Sequence, residues 1–204
     1  MTVASGPFSR RSGEGAKVLG PALGLIETSG IARGHVVADQ MVKRAPVELV
    51  LCRPVSPGKF LVLVSGEVGD VDEAMELGLA TAASSLVDQL ELAQVAEPLL
   101  LALAGVTRAP DPDCALGIVE TYAVAAALLG ADAACKAAEV ELPTLRLADG
   151  IGGKAYFVLA GPQSDVEAAI HAAERIIPVG LLHSRELIAR PHPDLLTALA
   201  LRLT

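Results

Sequence analysis

Tryptophan is absent from the 204 residues, and aromatic residues make up only 2% of the chain. Apolar content must therefore come from Ala, Val, Leu and Ile, small or branched side chains that suit short helices packed on a sheet. Basic clusters are also missing. The formal net charge is −8 and the pI lies near 5.0, whereas nucleic-acid binding needs a concentrated positive stripe that displaces counterions. The single basic pair near the start, Arg10-Arg11, is followed by an apolar stretch from Val18 to Ile26. That stretch ends at Glu27 and lacks the small-residue cleavage site of an export signal. Charges such as Glu27, Asp39, Glu97 and Asp132 interrupt every apolar run before it reaches the length of a membrane span. The expectation is a cytoplasmic protein with neither nucleic acid nor membrane as partner.

Reactive groups are scarce and scattered. The three cysteines, Cys52, Cys114 and Cys135, have no CxxC or CxxH spacing, and an odd number without a secretory signal reads as reduced, structural thiols. His35, His171, His183 and His192 show no metal-ligand spacing and no recurring Cys or carboxylate partner. Asp72-Glu73 with Glu76 reads as a solvated helix face, and Gly24 and Gly117 are lone glycines, too weak to indicate a phosphate loop. No metal site, no cofactor and no catalytic set is expected.

What the chain does have is apolar bulk: 52% hydrophobic residues and a mean hydropathy of +0.50. A chain of this length holds one ordinary domain or two small ones, and small domains bury a modest fraction of their surface. Excess apolar content in such units points to area buried between subunits, hence an oligomer.

A repeat decides the architecture. Ala22-Leu23-Gly24-Leu25-Ile26-Glu27-Thr28 returns as Ala115-Leu116-Gly117-Ile118-Val119-Glu120-Thr121, an offset of 93, and 13 of the 28 positions from 22 to 49 are identical at that offset. Chance would give roughly three. Gly58-Lys59 matches Gly153-Lys154, and Asp70-Val71 matches Asp165-Val166, at an offset of 95. Each copy reads as a strand (23–27; 116–120), a helix (30–45; 123–138), two strands joined by a Gly/Pro-punctuated loop (47–53 and 60–64; 140–146 and 155–159), a second helix and a last strand near 92–96 or 186–189. Asp70 with Glu73, and Ser164 with Glu167, read as N-terminal capping pairs of the second helices. The order β-α-β-β-α-β predicts an α+β chain of two tandem ferredoxin-like domains, each a small antiparallel sheet with helices on one face. The expected boundaries are a flexible tail at 1–20, a first domain at 21–104, a linker at 105–114 and a second domain at 115–204.

The segments ALGLIETSGIARGHVVADQMVKRAPVELV and ALGIVETYAVAAALLGADAACKAAEVEL, with SGEVGDVDEA and LIARPHPDL, resemble the bacterial microcompartment shell domain. That domain opens on a G-x-I-E-T strand and an A-D-x-x-x-K-A helix. The likeness covers nearly the whole chain after the tail. Two domains per chain in the simple strand order resemble the unpermuted tandem class, which implies a homotrimer with six-fold pseudosymmetry. It further implies partnership with other shell proteins (hexamers and pentamers) and with encapsulated enzymes, and small metabolites passing a central pore.

By the same resemblance, the pore loops are Pro54, Val55, Ser56, Pro57 and Gly58 in the first copy, and Asp149, Gly150, Ile151 and Gly152 in the second. Their differing composition implies a three-fold pore of mixed polarity. Some tandem shell proteins carry an iron–sulfur cluster on a pore-loop cysteine; neither loop tip has one here. Lys43, Lys136, Arg190 and His192 match the family's edge residues, whose contacts join neighbouring tiles. The first copy has Glu97 where the second has Arg190, so the six edges differ. The main expectation is a structural tile of a microcompartment shell, not an enzyme. The alternative is a soluble trimeric ligand-binding regulator built from ferredoxin-like repeats.

Overall fold

A strand covered on both faces does not alternate polar and apolar residues, and β1 (Ala22–Thr28) is buried at all seven positions. In the computed structural model, which describes residues 18–201, β1 is followed by α1 (Ile31–Arg44), β2 (Glu48–Val55), β3 (Lys59–Gly66), α2 (Val68–Ala82), β4 (Leu86–Leu92) and α3 (Glu97–Leu103). The second copy repeats the order as β5 (Ala115–Thr121), α4 (Val124–Ala137), β6 (Glu141–Leu147), β7 (Ala155–Gly161), α5 (Gln163–Ile176), β8 (Leu182–Ile188) and α6 (Pro193–Leu201). Most of the expected tail, 1–17, lies outside the described residues, as do 202–204.

Each copy forms a four-stranded sheet, in the order β2-β3-β1-β4 and β6-β7-β5-β8, with every pairing antiparallel. This is the ferredoxin-like order predicted for an α+β tandem. Because side chains alternate along a strand, Ile26, Phe60, Val62 and Val64 point to the face covered by α1 and α2, where they meet Val37, Met41 and Met75. Leu23, Leu25, Leu61 and Leu63 point the other way, into a cluster that runs through Leu92, Val95 and Leu99 to the second domain. Burying each such side chain contributes ~1.5–3 kcal/mol, and here one cluster serves both domains.

Two local expectations are corrected. The last strands lie at Leu86–Leu92 and Leu182–Ile188, earlier than 92–96 and 186–189. Asp70/Glu73 and Ser164/Glu167 are not caps. The helices start earlier, with Glu67 and Pro162 at the N-cap and no side-chain cap hydrogen bond, so Asp70 and Ser164 fall inside the first turn. A short helix follows the last strand in each copy, unforeseen in the sequence. Of these, α6 covers part of the second sheet's other face through Leu196, beside Leu116, Val158 and Ala160, while α3 reaches across to β6 and α4.

Candidate functional site

The strand connection in each copy is held from behind by a recurring ion pair. Glu27, 2% exposed at the end of β1, meets Lys59 Nζ at 3.0 Å. Lys59 is the first residue after the loop in the first copy. Glu120 meets Lys154 in the second copy and also accepts a bond from Ser184 Oγ at 3.3 Å. The Lys154 hydrogen bond is the main cause that holds the Glu120 carboxyl below its ordinary range, partly offset by burial and reinforced by the charges of Lys154 and His183. Thr28 and Thr121, both 0% exposed, donate to the carbonyls of Gly30 (3.0 Å) and Ala123 (2.8 Å). The E-T dipeptide therefore fixes a lysine and a helix start at once.

The loops themselves differ. In the first, β2 runs through Val55, which is buried, and only Ser56, Pro57 and Gly58 make the turn, with a cis Ser56–Pro57 bond. In the second, Gly150, Gly152 and Gly153 all take positive φ, the left-handed region that glycine enters without Cβ strain. The two loops touch within one chain: a Cβ on Gly153 would stand 3.0 Å from the Ser56 carbonyl oxygen. Arg53 locks the junction, its Nη2 donating to the Leu147 carbonyl at 3.0 Å and its Nη1 lying 3.4 Å from Asp149. Arg146 reaches the same Asp149 carboxylate at 3.7 Å, so two guanidinium groups share one acid.

The helix lysines sit in unequal surroundings. Lys43 pairs with Asp39 at 2.7 Å on an exposed face, and Lys136 pairs with Asp132 at 2.6 Å. Asp132 is 5% exposed and its other oxygen accepts the Ala96 N–H of the first domain at 2.9 Å. It thus holds the start of α3, where a helix leaves backbone donors unsatisfied. Arg190 and His192 are exposed beyond β8, and His192 Nδ1 accepts the Asp194 N–H at 3.2 Å. The structure brings the two loops together but leaves the edge residues Lys43 and Lys136 on separate helices, apart from the loops.

No group of three or more His, Cys, Asp or Glu side chains placed to hold a metal exists among the described residues. Burial raises the pKa of all three cysteines. Cys135 is pushed to about 12, by burial first and by the Asp132 charge second, and a thiol held protonated is a poor nucleophile or ligand. Sequence reasoning missed Asp132, Arg53 and the Glu–Lys pairs as structural keys. The signal was available, since Asp39/Asp132, Glu27/Glu120, Lys59/Lys154 and Arg53/Arg146 all recur in the repeat.

The BMC domain matches twice, at residues 22–95 and 115–191. The chain is 42% identical over 175 residues to the bacterial microcompartment shell protein PduT of Citrobacter freundii, covering 85% of this chain and 95% of that protein. It is 31% identical over 193 residues to the carboxysome assembly protein CcmO of Synechococcus elongatus, covering 87% of this chain and 68% of the relative. Among solved structures, a microcompartments protein from Desulfitobacterium hafniense DCB superposes with a TM-score of 0.78 at 37% identity, over 85% of this chain and 97% of the other.

Proposed function

The chain belongs to the BMC-domain family, with two such domains in tandem, and from that premise we propose that three copies close into one pseudo-hexameric plate. Its role is structural: it is a tile in the shell of a bacterial microcompartment, in the cytoplasm, assembled with other shell proteins. The plate is a scaffold and permeability element, not a catalyst.

One observation carries the ring. Residues that match in the two copies differ in exposure because the contact between the domains covers this helix face in the second copy and not in the first. Val124 on α4 is 1% exposed, whereas its counterpart Ile31 on α1 is 44% exposed. The Asp132 side chain is 7% exposed while that of Asp39 is 49%. Helix α4 lies against β4 and α3 of the first domain, whereas among the described residues α1 packs chiefly on β1, β2, β3 and α2 of its own domain. At the other end, His192 stands four residues beyond β8 at the head of α6, as Ala96, whose N–H is bound by Asp132, stands four residues beyond β4 at the head of α3, and His192 is exposed. Each chain thus presents one half of a junction on α1 and the complementary half beyond β8. Such a head-to-tail contact generates a closed ring when its rotation closes. In that ring Asp39 faces the start of α6 of the next copy, as Asp132 faces the start of α3 within the chain.

Pro54, residues 56–58 and residues 149–152 are assigned to the pore rim, because the two loops of one chain already adjoin and the Glu–Lys pairs anchor them from behind, whereas Val55 is buried in β2 and stands behind the rim. Small metabolites pass by the width and hydrogen-bonding groups of that rim. Lys43, Lys136, Arg190 and His192 are assigned to the contacts between plates. Each long lysine stem covers apolar surface, and its ammonium, placed by Asp39 or Asp132, keeps further donors for carbonyls of a neighbouring plate. Encapsulated enzymes are the further partners of the luminal face.

Sedimentation of the full chain should give three times 20.9 kDa, and the protein mixed with shell hexamers should enter sheets or closed shells seen by electron microscopy. Ile31→Asp, at an exposed position, should leave a folded monomer. A parent chain that sediments as a monomer overturns the ring; a trimer that never joins larger assemblies overturns the tile.

A further inference from the structure

The junction between the two domains of one chain is apolar where helix meets strand. Leu128 on α4 is 0% exposed and belongs to the cluster against which Leu90 on β4 also packs, and α4 contacts β4. Asp132 sets the register of this contact by binding the Ala96 N–H at 2.9 Å. Leu128 stands one helical turn before Asp132, and Leu90 lies on the strand that leads to Ala96. Because side chains alternate along a strand, half-buried Leu90 points with Leu92 to the face that the second domain covers, while Gln89 and Glu91 stay exposed.

In the proposed ring α1 of one copy takes the place of α4, and β8 of the next copy takes the place of β4. The residues at the two matching positions change together. At an offset of 93, His35 on α1 stands for Leu128. Glu186 on β8 stands for Leu90, since Leu90 pairs with Leu25, Glu186 pairs with Ile118, and Leu25 and Ile118 match in the repeat. Around them the match stays apolar, with Ile31 for Val124 and Val36 for Leu129 on the helix, and Ile188 for Leu92 on the strand. His35 and Glu186 are both exposed in the single chain. The His35 ring is restrained by the ring of Phe60, their centroids 4.5 Å apart, and the Glu186 carboxylate has no partner among the described residues. A contact that turned polar on one side only would bury that polar group against leucine, without a partner.

We propose that His35 of one copy and Glu186 of the next form a polar pair across the junction between copies, an inference that rests on the proposed ring. An imidazole N–H donates to the carboxylate there. The two kinds of junction are then locked differently, by apolar residues within a chain and by histidine and glutamate between chains. The difference also sorts the surfaces. A β4 edge docked on α1 of another copy would set Leu90 against His35, and a β8 edge docked on α4 would set Glu186 against Leu128. Each wrong pairing leaves a polar group buried without a partner, whereas both correct pairings are matched.

Sedimentation equilibrium of the full chain tests the pair. Glu186→Lys and His35→Glu change side chains that are exposed in the single chain, so each variant should stay folded by its thermal melt. Each should raise the concentration at which trimers dissociate by at least about tenfold. The double variant, with His35→Glu and Glu186→Lys in the same chain, sets opposite charges across the junction again and should dissociate within a few-fold of the parent. Glu186→Lys, which disturbs no ring contact, decides alone if His35→Glu melts early. A parent that is monomeric at every concentration overturns the ring and the pair with it. With a trimeric parent, the pair alone is overturned by a folded single variant that dissociates as the parent does, or by a folded double variant that dissociates as readily as the singles.

Discussion

Glu27 and Glu120 show how a single side chain can be legible as important and opaque as to role. Both recur in the repeat at the end of an apolar strand, and a hydrogen-bonding role is the natural expectation for each. Their partners Lys59 and Lys154 also recur, yet the pairing crosses strands more than thirty positions apart in sequence, a separation that no local spacing encodes. The consequence is testable through pH. The Glu120 carboxyl is held below its ordinary value, chiefly by the Lys154 hydrogen bond, so the folded state binds that proton less readily than the unfolded chain. The stabilisation is present above the unfolded value of about 4.3 and is lost as pH falls through the lower folded value. Glu120→Gln should therefore lower stability at neutral pH by about 1 kcal/mol, since the pair is partly exposed. The same variant should show a flatter loss of stability below about pH 5 than the parent. Thermal melts across pH 3–7 check both, and an unchanged acid limb would remove the pair from the account of loop anchoring.

At the scale of elements, the helices and inner strands were legible because each copy carries the same apolar period twice. The ends were not. Strand β4 is read late because Leu86–Leu92 alternates exposed and half-buried residues, a weaker signal than the continuous run of β1. Helix α3 escapes notice because its Pro-Leu-Leu-Leu-Ala-Leu run has no polar face, which only the meeting of two domains explains. Capping signals misplace two helix starts because Asp and Ser are equally at home in a first turn, where Asp70 and Asp165 favour the helix dipole. Packing differences between the copies are compensated. Gly34 on α1 faces Phe60, and a Cβ there would stand 2.3 Å from the ring. The matching positions of the second copy are Ala127 and Ala155, both 0% exposed. Gly34→Ala alone should destabilise the chain by about 1–3 kcal/mol through overpacking, although alanine favours a helix by ~1 kcal/mol over glycine. In a Phe60→Ala background the same change should stabilise. A double-mutant cycle by urea unfolding measures the coupling, expected at about 2 kcal/mol; additive effects would mean that the helix shifts freely on its sheet.

For the whole molecule, duplication without identity makes a plate whose six edges are of two kinds. Both copies keep the helix lysine, Lys43 and Lys136, but at an offset of 93 the sequence repeat sets Glu97 of one copy against Arg190 of the other. Glu97 opens α3 and is exposed, next to Ala96, whose N–H Asp132 binds. Beyond the last strands an acid in one copy and a base in the other alternate around the proposed ring, and a neighbouring plate meets repulsion at one edge wherever it meets attraction at the next. Charge placed at a rim selects partners and register more than it adds affinity. Arg190→Glu would put an acid beyond the last strand in both copies while leaving Asp39 and Asp132 in place. The expected outcome is an intact trimer by sedimentation that co-assembles with hexameric shell proteins several-fold less well, the loss growing smaller in high salt as screening shortens the range of the charge. Glu97→Arg should act in the opposite direction on partners that favour the Arg190 edge. If both variants enter sheets as the parent does, by counts of plates in electron micrographs, contact between tiles rests on the lysines and on shape, and the alternation of charge has no part in choosing neighbours.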